Sequence, residues 1–84
     1  MSLSSDSLVG KVCVVTGAAK SIGFGVAKKY AESGAKVAMI DIDPLVVESA
    51  KGLADKGYVV KSYVLDITDR QAVLKTFEQI VADL

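Results

Sequence analysis

The sequence contains no histidine, no tryptophan and no asparagine, and it has one cysteine and one proline in 84 residues. With no histidine, and with Cys13 alone inside an apolar run, almost nothing remains from which to build a transition-metal site, and an internal disulfide is impossible. Cys13 reads as a buried, inert thiol of a reducing cytoplasm. Charge of one sign is also missing: ten Lys and Arg balance ten Asp and Glu, and the bases form no stripe. That leaves no electrostatic footprint for nucleic acid or an anionic membrane. No apolar run approaches a spanning length, and the start MSLSSDSL is acidic with no apolar h-region.

What the sequence does have is apolar surface, 51% of its residues. A chain this short buries only about 60% of its unfolded surface, so it needs fewer apolar residues than a large domain. The excess resembles the interior of something bigger. Residues 1–10 read as a polar lead-in. From Lys11 to Thr16 the run KVCVVT is β-branched without alternation, as expected of a strand covered on both faces in a parallel sheet. The period changes at Ser21, where Ile22, Val26, Ala27, Tyr30 and Ala31 share a helical face that Gly34 closes as a C′ residue. KVAMID (36–41) is a second strand. Asp43 before Pro44 is an N-cap with proline at the first helical position, and Leu45, Val46, Ser49, Ala50, Leu53 and Ala54 form the next apolar face.

YVVKSYVL (58–65) is a third strand, more edge-like because of Lys61 and Ser62. Thr68 with Gln71 reads as a capping box, ahead of a helix lined by Val73, Phe77, Ile80, Val81 and Leu84. Strands alternating with helices in the order βαβαβα imply an α/β fold with a parallel sheet and right-handed crossovers. In a doubly wound order 3-2-1-4-5-6 these are the first three strands, and VCVVT is then an open edge. Residues 11–84 are accordingly expected to form half of a Rossmann-like domain.

The turn TGAAKSIG (16–23) is where chemistry concentrates. Gly17 lets the chain leave the strand sharply, and Gly23 lets the helix pack close. Between them a helix start presents free N–H groups and a positive dipole end, which binds phosphate without a charged side chain. Two glycines in a βα turn are a weak signal alone. Here the turn follows a strand, opens a helix and is succeeded by Asp41 at the end of the next strand, where a carboxylate can accept from both ribose hydroxyls and repel a 2′-phosphate.

With LVGKVCVVTGAAKSIG, VAKKYAESGAKVAMIDID and VLDITD in hand, the sequence resembles the N-terminal part of the short-chain dehydrogenases/reductases, whose glycine motif is TGxxxGIG. The likeness covers nearly all of residues 8–84. It implies that Gly17, Ser21, Ile22 and Gly23 contact the cofactor pyrophosphate and adjoining ribose. It implies also that Asp41 and Ile42 hold the adenosine ribose, and that Asp66 with the backbone of Ile67 brackets the adenine edge. Two residues complicate this. Ser21 stands where the family has its second glycine, placing a Cβ and a hydroxyl where the backbone should approach phosphate; the hydroxyl can instead donate to phosphate or cap the helix. Lys20 is either a solvated loop charge or a partner for a 2′-phosphate. Because Asp41 opposes such a phosphate, NAD is expected over NADP.

The family's catalysis uses Tyr-x-x-x-Lys, an upstream Ser and an Asn-containing motif. Here the residues four beyond Tyr30, Tyr58 and Tyr63 are Gly34, Ser62 and Ile67, and no Asn exists, so no catalytic residue is assigned. The expectation is the cofactor-binding portion of an NAD(P)-dependent oxidoreductase acting on an alcohol or carbonyl, such as a 3-oxoacyl thioester or another ketone. A short non-catalytic adenine-nucleotide binder or remnant is the alternative. SIGFGVAKKYAESGA is also similar to the divergent enoyl-thioester reductases, whose glycine-to-serine spacing is longer. By resemblance a full-length member is a homo-oligomer, while the charge balance and short apolar runs point to no nucleic-acid or membrane partner and the lone cysteine to a cytoplasmic location.

Overall fold

The computed structural model describes residues 8–84, so the first seven residues of the expected lead-in lie outside the described residues. Six elements follow in the anticipated order: β1 (Val12–Thr16), α1 (Ser21–Glu32), β2 (Lys36–Asp41), α2 (Leu45–Ala54), β3 (Val60–Val64) and α3 (Arg70–Asp83). The strands form one parallel sheet in the order β1-β2-β3, with Val14 opposite Ala38 and Asp41 opposite Val64. The architecture is that of half a Rossmann fold.

Helices cover both faces. Val37, Met39 and Val60 pack with Ala27, Ala31, Val46, Ala50 and Leu53 from α1 and α2, and on the opposite face Ala38 and Ile40 pack with Ile80 of α3. A central strand between two helical layers has no exposed side, and Val37 through Ile40 are all buried. The expectation of a strand covered on both faces, made for β1, fails there, and β2 is the strand so covered. Val15 of β1 is buried, but Val12 and Val14 are 46% and 39% exposed. They share the face of Ala38, where α3 is the only helix, and β1 is an edge of the sheet among the described residues.

Helix boundaries follow local chemistry. Asp43 Oδ1 accepts the Leu45 N–H at 2.9 Å and Pro44 is already helical at φ −57°, so this cap forms as expected and regular helix begins one residue later. Gly34 follows α1 at φ +96°, and its N–H bonds the Ala31 carbonyl. The Thr68–Gln71 capping box does not form. Thr68 donates its hydroxyl to Asp66 at 2.7 Å, and α3 is capped instead by Asp69, whose carboxylate takes the Ala72 N–H at 3.2 Å. A carboxylate is the stronger acceptor for a helix start, and Thr68 is already held in the turn made by Asp66.

The proposed apolar stripes are narrower than drawn. Ile22 is 85% exposed, Leu45 and Ala54 are exposed, and in α3 only Ile80 is buried while Phe77 and Val81 face solvent. The end of α3 is tied to the sheet by Tyr63, whose hydroxyl donates to Asp83 Oδ2 at 2.8 Å. Burial, with the Asp83 carboxylate as acceptor, pushes the Tyr63 pKa up to about 12. No helix of the described residues is long and apolar enough to cross a membrane.

Candidate functional site

The carboxyl ends of the three strands open onto a cleft of about 350 Å³, lined by Thr16 and Gly17, by residues 40–42 and by residues 65–67. Parallel strands all end on the same side, so the loops that follow them converge there. Five of the singled-out residues, Gly17, Asp41, Ile42, Asp66 and Ile67, share this cleft. Lys20, Ser21, Ile22 and Gly23 lie outside its lining, in the turn and first turn of α1.

Gly17 leaves β1 at φ +65°, a conformation that costs glycine nothing. The next two residues are buried, so they must be small: Ala18 is 0% and Ala19 3% exposed. Their N–H groups turn back onto β2, Ala18 to the Ile40 carbonyl at 3.1 Å and Ala19 to Asp41 Oδ2 at 3.0 Å. Helix α1 then starts so close to the turn that a Cβ on Gly23 would lie 1.8 Å from the Gly17 carbonyl oxygen. The close approach that Gly23 permits is thus to the turn's own backbone. The first helical bond runs from Phe24 N–H to the Lys20 carbonyl at 3.4 Å. The N–H groups of Ser21, Ile22 and Gly23 have no acceptor within the helix, and the first turn carries neither a side-chain cap nor an acidic residue. Nothing in that turn competes with an anion.

Ser21 sits at φ +58°, in the left-handed region that favours glycine. Its hydroxyl does not cap α1, where the N-cap is Lys20 with extended backbone, so the capping alternative is not realised. A left-handed non-glycine residue costs about 1–2 kcal/mol, offset by the greater chain entropy glycine loses on folding. Ser21→Gly is therefore expected to raise stability by about 0.5 kcal/mol in chemical denaturation, where glycine at an ordinary helical position costs about 1 kcal/mol. A loss of that ordinary size would contradict the assigned backbone.

Asp41 is the most constrained side chain in the cleft. Besides the Ala19 bond, its Oδ1 accepts the Asp43 N–H at 2.9 Å. These two N–H groups, Asp43 first and Ala19 next, hold its carboxyl below the ordinary value of 3.8, with a smaller contribution from the charge of Lys20. Each oxygen keeps a second lone pair for another donor. Asp66 is held in the same sense by Thr68, whose N–H and hydroxyl both reach Oδ1, leaving Oδ2 free of that turn. Ile42 and Ile67, 64% and 60% exposed, supply an apolar mouth.

One contributor escaped the pattern reading. Ser49 of α2 was placed only on an apolar helical face, yet its Oγ donates to the Ala19 carbonyl. Its partner is 30 residues away, and helical periodicity carries no information about that. The adjacent alanines of TGAAK were the available hint that this turn is buried.

Residues 11–84 match the family model of the short chain dehydrogenases. The chain is 43% identical over 79 residues to the 3-oxoacyl-[acyl-carrier-protein] reductase FabG of Thermotoga maritima, covering 88% of this chain and 30% of that protein. Among solved structures it superposes on an NAD⁺-bound xylitol dehydrogenase with a TM-score of 0.84 and 36% identity, covering 90% of this chain and 30% of that one. It also superposes on a Beutenbergia cavernae protein assigned as an NAD(P)-dependent gluconate 5-dehydrogenase, with NADP bound at low occupancy. There the TM-score is 0.81 and the identity 33%, over 96% of this chain and 32% of that one. The chain spans roughly a third or less of the length of these relatives. With residues 11–84 matched by the family model and the fold shared with these solved relatives, the chain belongs to the short-chain dehydrogenase family.

Proposed function

We propose that this cleft binds NAD in preference to NADP, as the cofactor-holding half-domain (residues 11–84) of a cytoplasmic oxidoreductase. The observation that carries the reading is the Asp41 carboxylate, fixed at the cleft by the N–H groups of Ala19 and Asp43 and still able to accept from two hydroxyls. Asp41 with Ile42 takes the adenosine ribose. Gly17 and the first-turn N–H groups of Ser21, Ile22 and Gly23 take the pyrophosphate. Asp66 Oδ2 and the Ile67 backbone meet the adenine edge between the exposed Ile42 and Ile67 side chains. Bound there, the dinucleotide supplies hydride exchange with an alcohol or carbonyl, such as a 3-oxoacyl thioester or another ketone. The relatives bound to NAD⁺ or NADP support a dinucleotide. No residue of this sequence is assigned to the proton transfer.

Preference for NAD follows from electrostatics. A 2′-phosphate would face an anion pinned in place, and the exposed Lys20 offers only a solvated charge against it. Titration of the protein with NADH and NADPH, followed by nicotinamide fluorescence, is expected to give NADH the lower Kd by about tenfold or more, a difference of about 1.4 kcal/mol. Tighter NADPH binding would overturn the preference, and binding of neither would overturn the reading itself.

A further inference from the structure

Ala19 is held from two directions by residues distant in sequence. Its N–H donates to Asp41 Oδ2 at 3.0 Å, and its carbonyl accepts from Ser49 Oγ on α2. The two bonds fix successive peptide groups, one on each side of the Ala19 Cα. Ala19 is 3% exposed, so water cannot readily replace a lost partner, and a buried carbonyl without one is costly. Ser49 has one hydroxyl proton and a second carbonyl in reach, Leu45 at 3.2 Å. The Ala19 carbonyl is the nearer.

Because a trans peptide points its C=O and N–H in opposite directions, fixing the Ala19 carbonyl toward α2 fixes the Lys20 N–H away from it. That peptide leads through Lys20 to Ser21, whose left-handed backbone opens α1. A rotation there would redirect the N–H groups of the turn. We propose that Ser49 is a positioning residue for the phosphate-binding turn: its hydroxyl acts through the Ala19 carbonyl to hold the turn in register with Asp41. As a ligand-binding role it rests on the dinucleotide reading above.

The test compares Ser49→Ala and Ser49→Thr with the unmodified protein, titrated with adenosine, ADP and NADH. Adenosine meets only the Asp41 and Asp66 end, whereas ADP and NADH also meet the turn. Ser49→Ala is expected to weaken ADP and NADH by about five- to tenfold, the worth of one neutral hydrogen bond, while adenosine affinity stays unchanged. Ser49→Thr keeps the hydroxyl and is expected to restore most of the loss. An unchanged ADP affinity, or an equal fall for all three ligands, would overturn the proposal. Amide hydrogen exchange supplies a readout without ligand. In Ser49→Ala the Ala19 amide is expected to exchange at least fivefold faster while amides within α2 hold their rates. If the unmodified protein binds none of the ligands, the dinucleotide reading falls, and the clamp is judged on exchange alone: an unchanged Ala19 rate refutes it.

Discussion

Gly23→Ala is expected to destabilise the chain by on the order of 3 kcal/mol or more and to abolish dinucleotide binding with it. The added Cβ would lie 1.8 Å from the Gly17 carbonyl oxygen, 2.6 Å from its carbonyl carbon and 3.2 Å from the Ala18 nitrogen, all of them main-chain atoms. Backbone cannot rotate aside as a long side chain can. Either the turn withdraws, breaking the bonds of Ala18 and Ala19 to β2, or the first turn of α1 unwinds. For a chain of 84 residues, total stability of roughly 4–13 kcal/mol leaves little margin for such a loss. Gly25→Ala, two residues on in the same helix, is the control. A Cβ there meets nothing within 4 Å, so alanine is expected to stabilise by about 0.5–1 kcal/mol. Thermal and urea unfolding of the two variants decides the matter, and similar midpoints for both would show that the close approach is not present in solution.

Asp41→Asn is expected to cost about 2 kcal/mol and to remove much of the discrimination against NADPH. The carboxylate receives N–H groups on both oxygens. An amide offers one oxygen to them and presents its NH₂ to the other donor, so one bond becomes a donor facing a donor. The pH dependence has a definite sign. The folded carboxyl lies below its ordinary 3.8, so the unfolded chain binds this proton more tightly. The stabilisation is complete above that ordinary value and is lost as pH falls through the lower folded-state pKa. Asp41→Asn should therefore flatten part of the acid limb of a stability-versus-pH curve. Asp66 and Asp83, shifted the same way, continue to supply the rest. If the variant and the parent lose stability in parallel over that range, the two backbone bonds to Asp41 contribute nothing.

Both residues were legible in the sequence because their signals are local and ordered: a glycine at a fixed place in a turn between strand and helix, and an acid at the end of the following strand. Asp66 and the flanking isoleucines were placed by the family resemblance alone, and they line the same cleft because the ends of parallel strands all face one side. The Thr68 cap failed for a different reason. Thr68 and Asp69 are adjacent candidates, and only the path of the chain after Asp66 decides which faces the helix N–H groups. Ile22 misled because helical periodicity assigns a face but not its cover, and at the first turn of α1 that position reaches solvent.

The amino-acid sequence by itself determined the order of the elements, the parallel sheet they imply, the sharp turn at Gly17 and the position of Asp41 at the end of β2. These are consequences of hydrophobic period, turn chemistry and the handedness of L-residues, all of which act over a few neighbouring positions. Only the tertiary structure decided that β2 is the strand covered on both sides, that Val12 and Val14 are left exposed, and that Asp41 grips the Ala19 N–H while Ser49 grips its carbonyl. Those facts depend on which distant segments the sheet and its helices bring together, and a hydroxyl or carboxylate finds its partner only after that packing is complete.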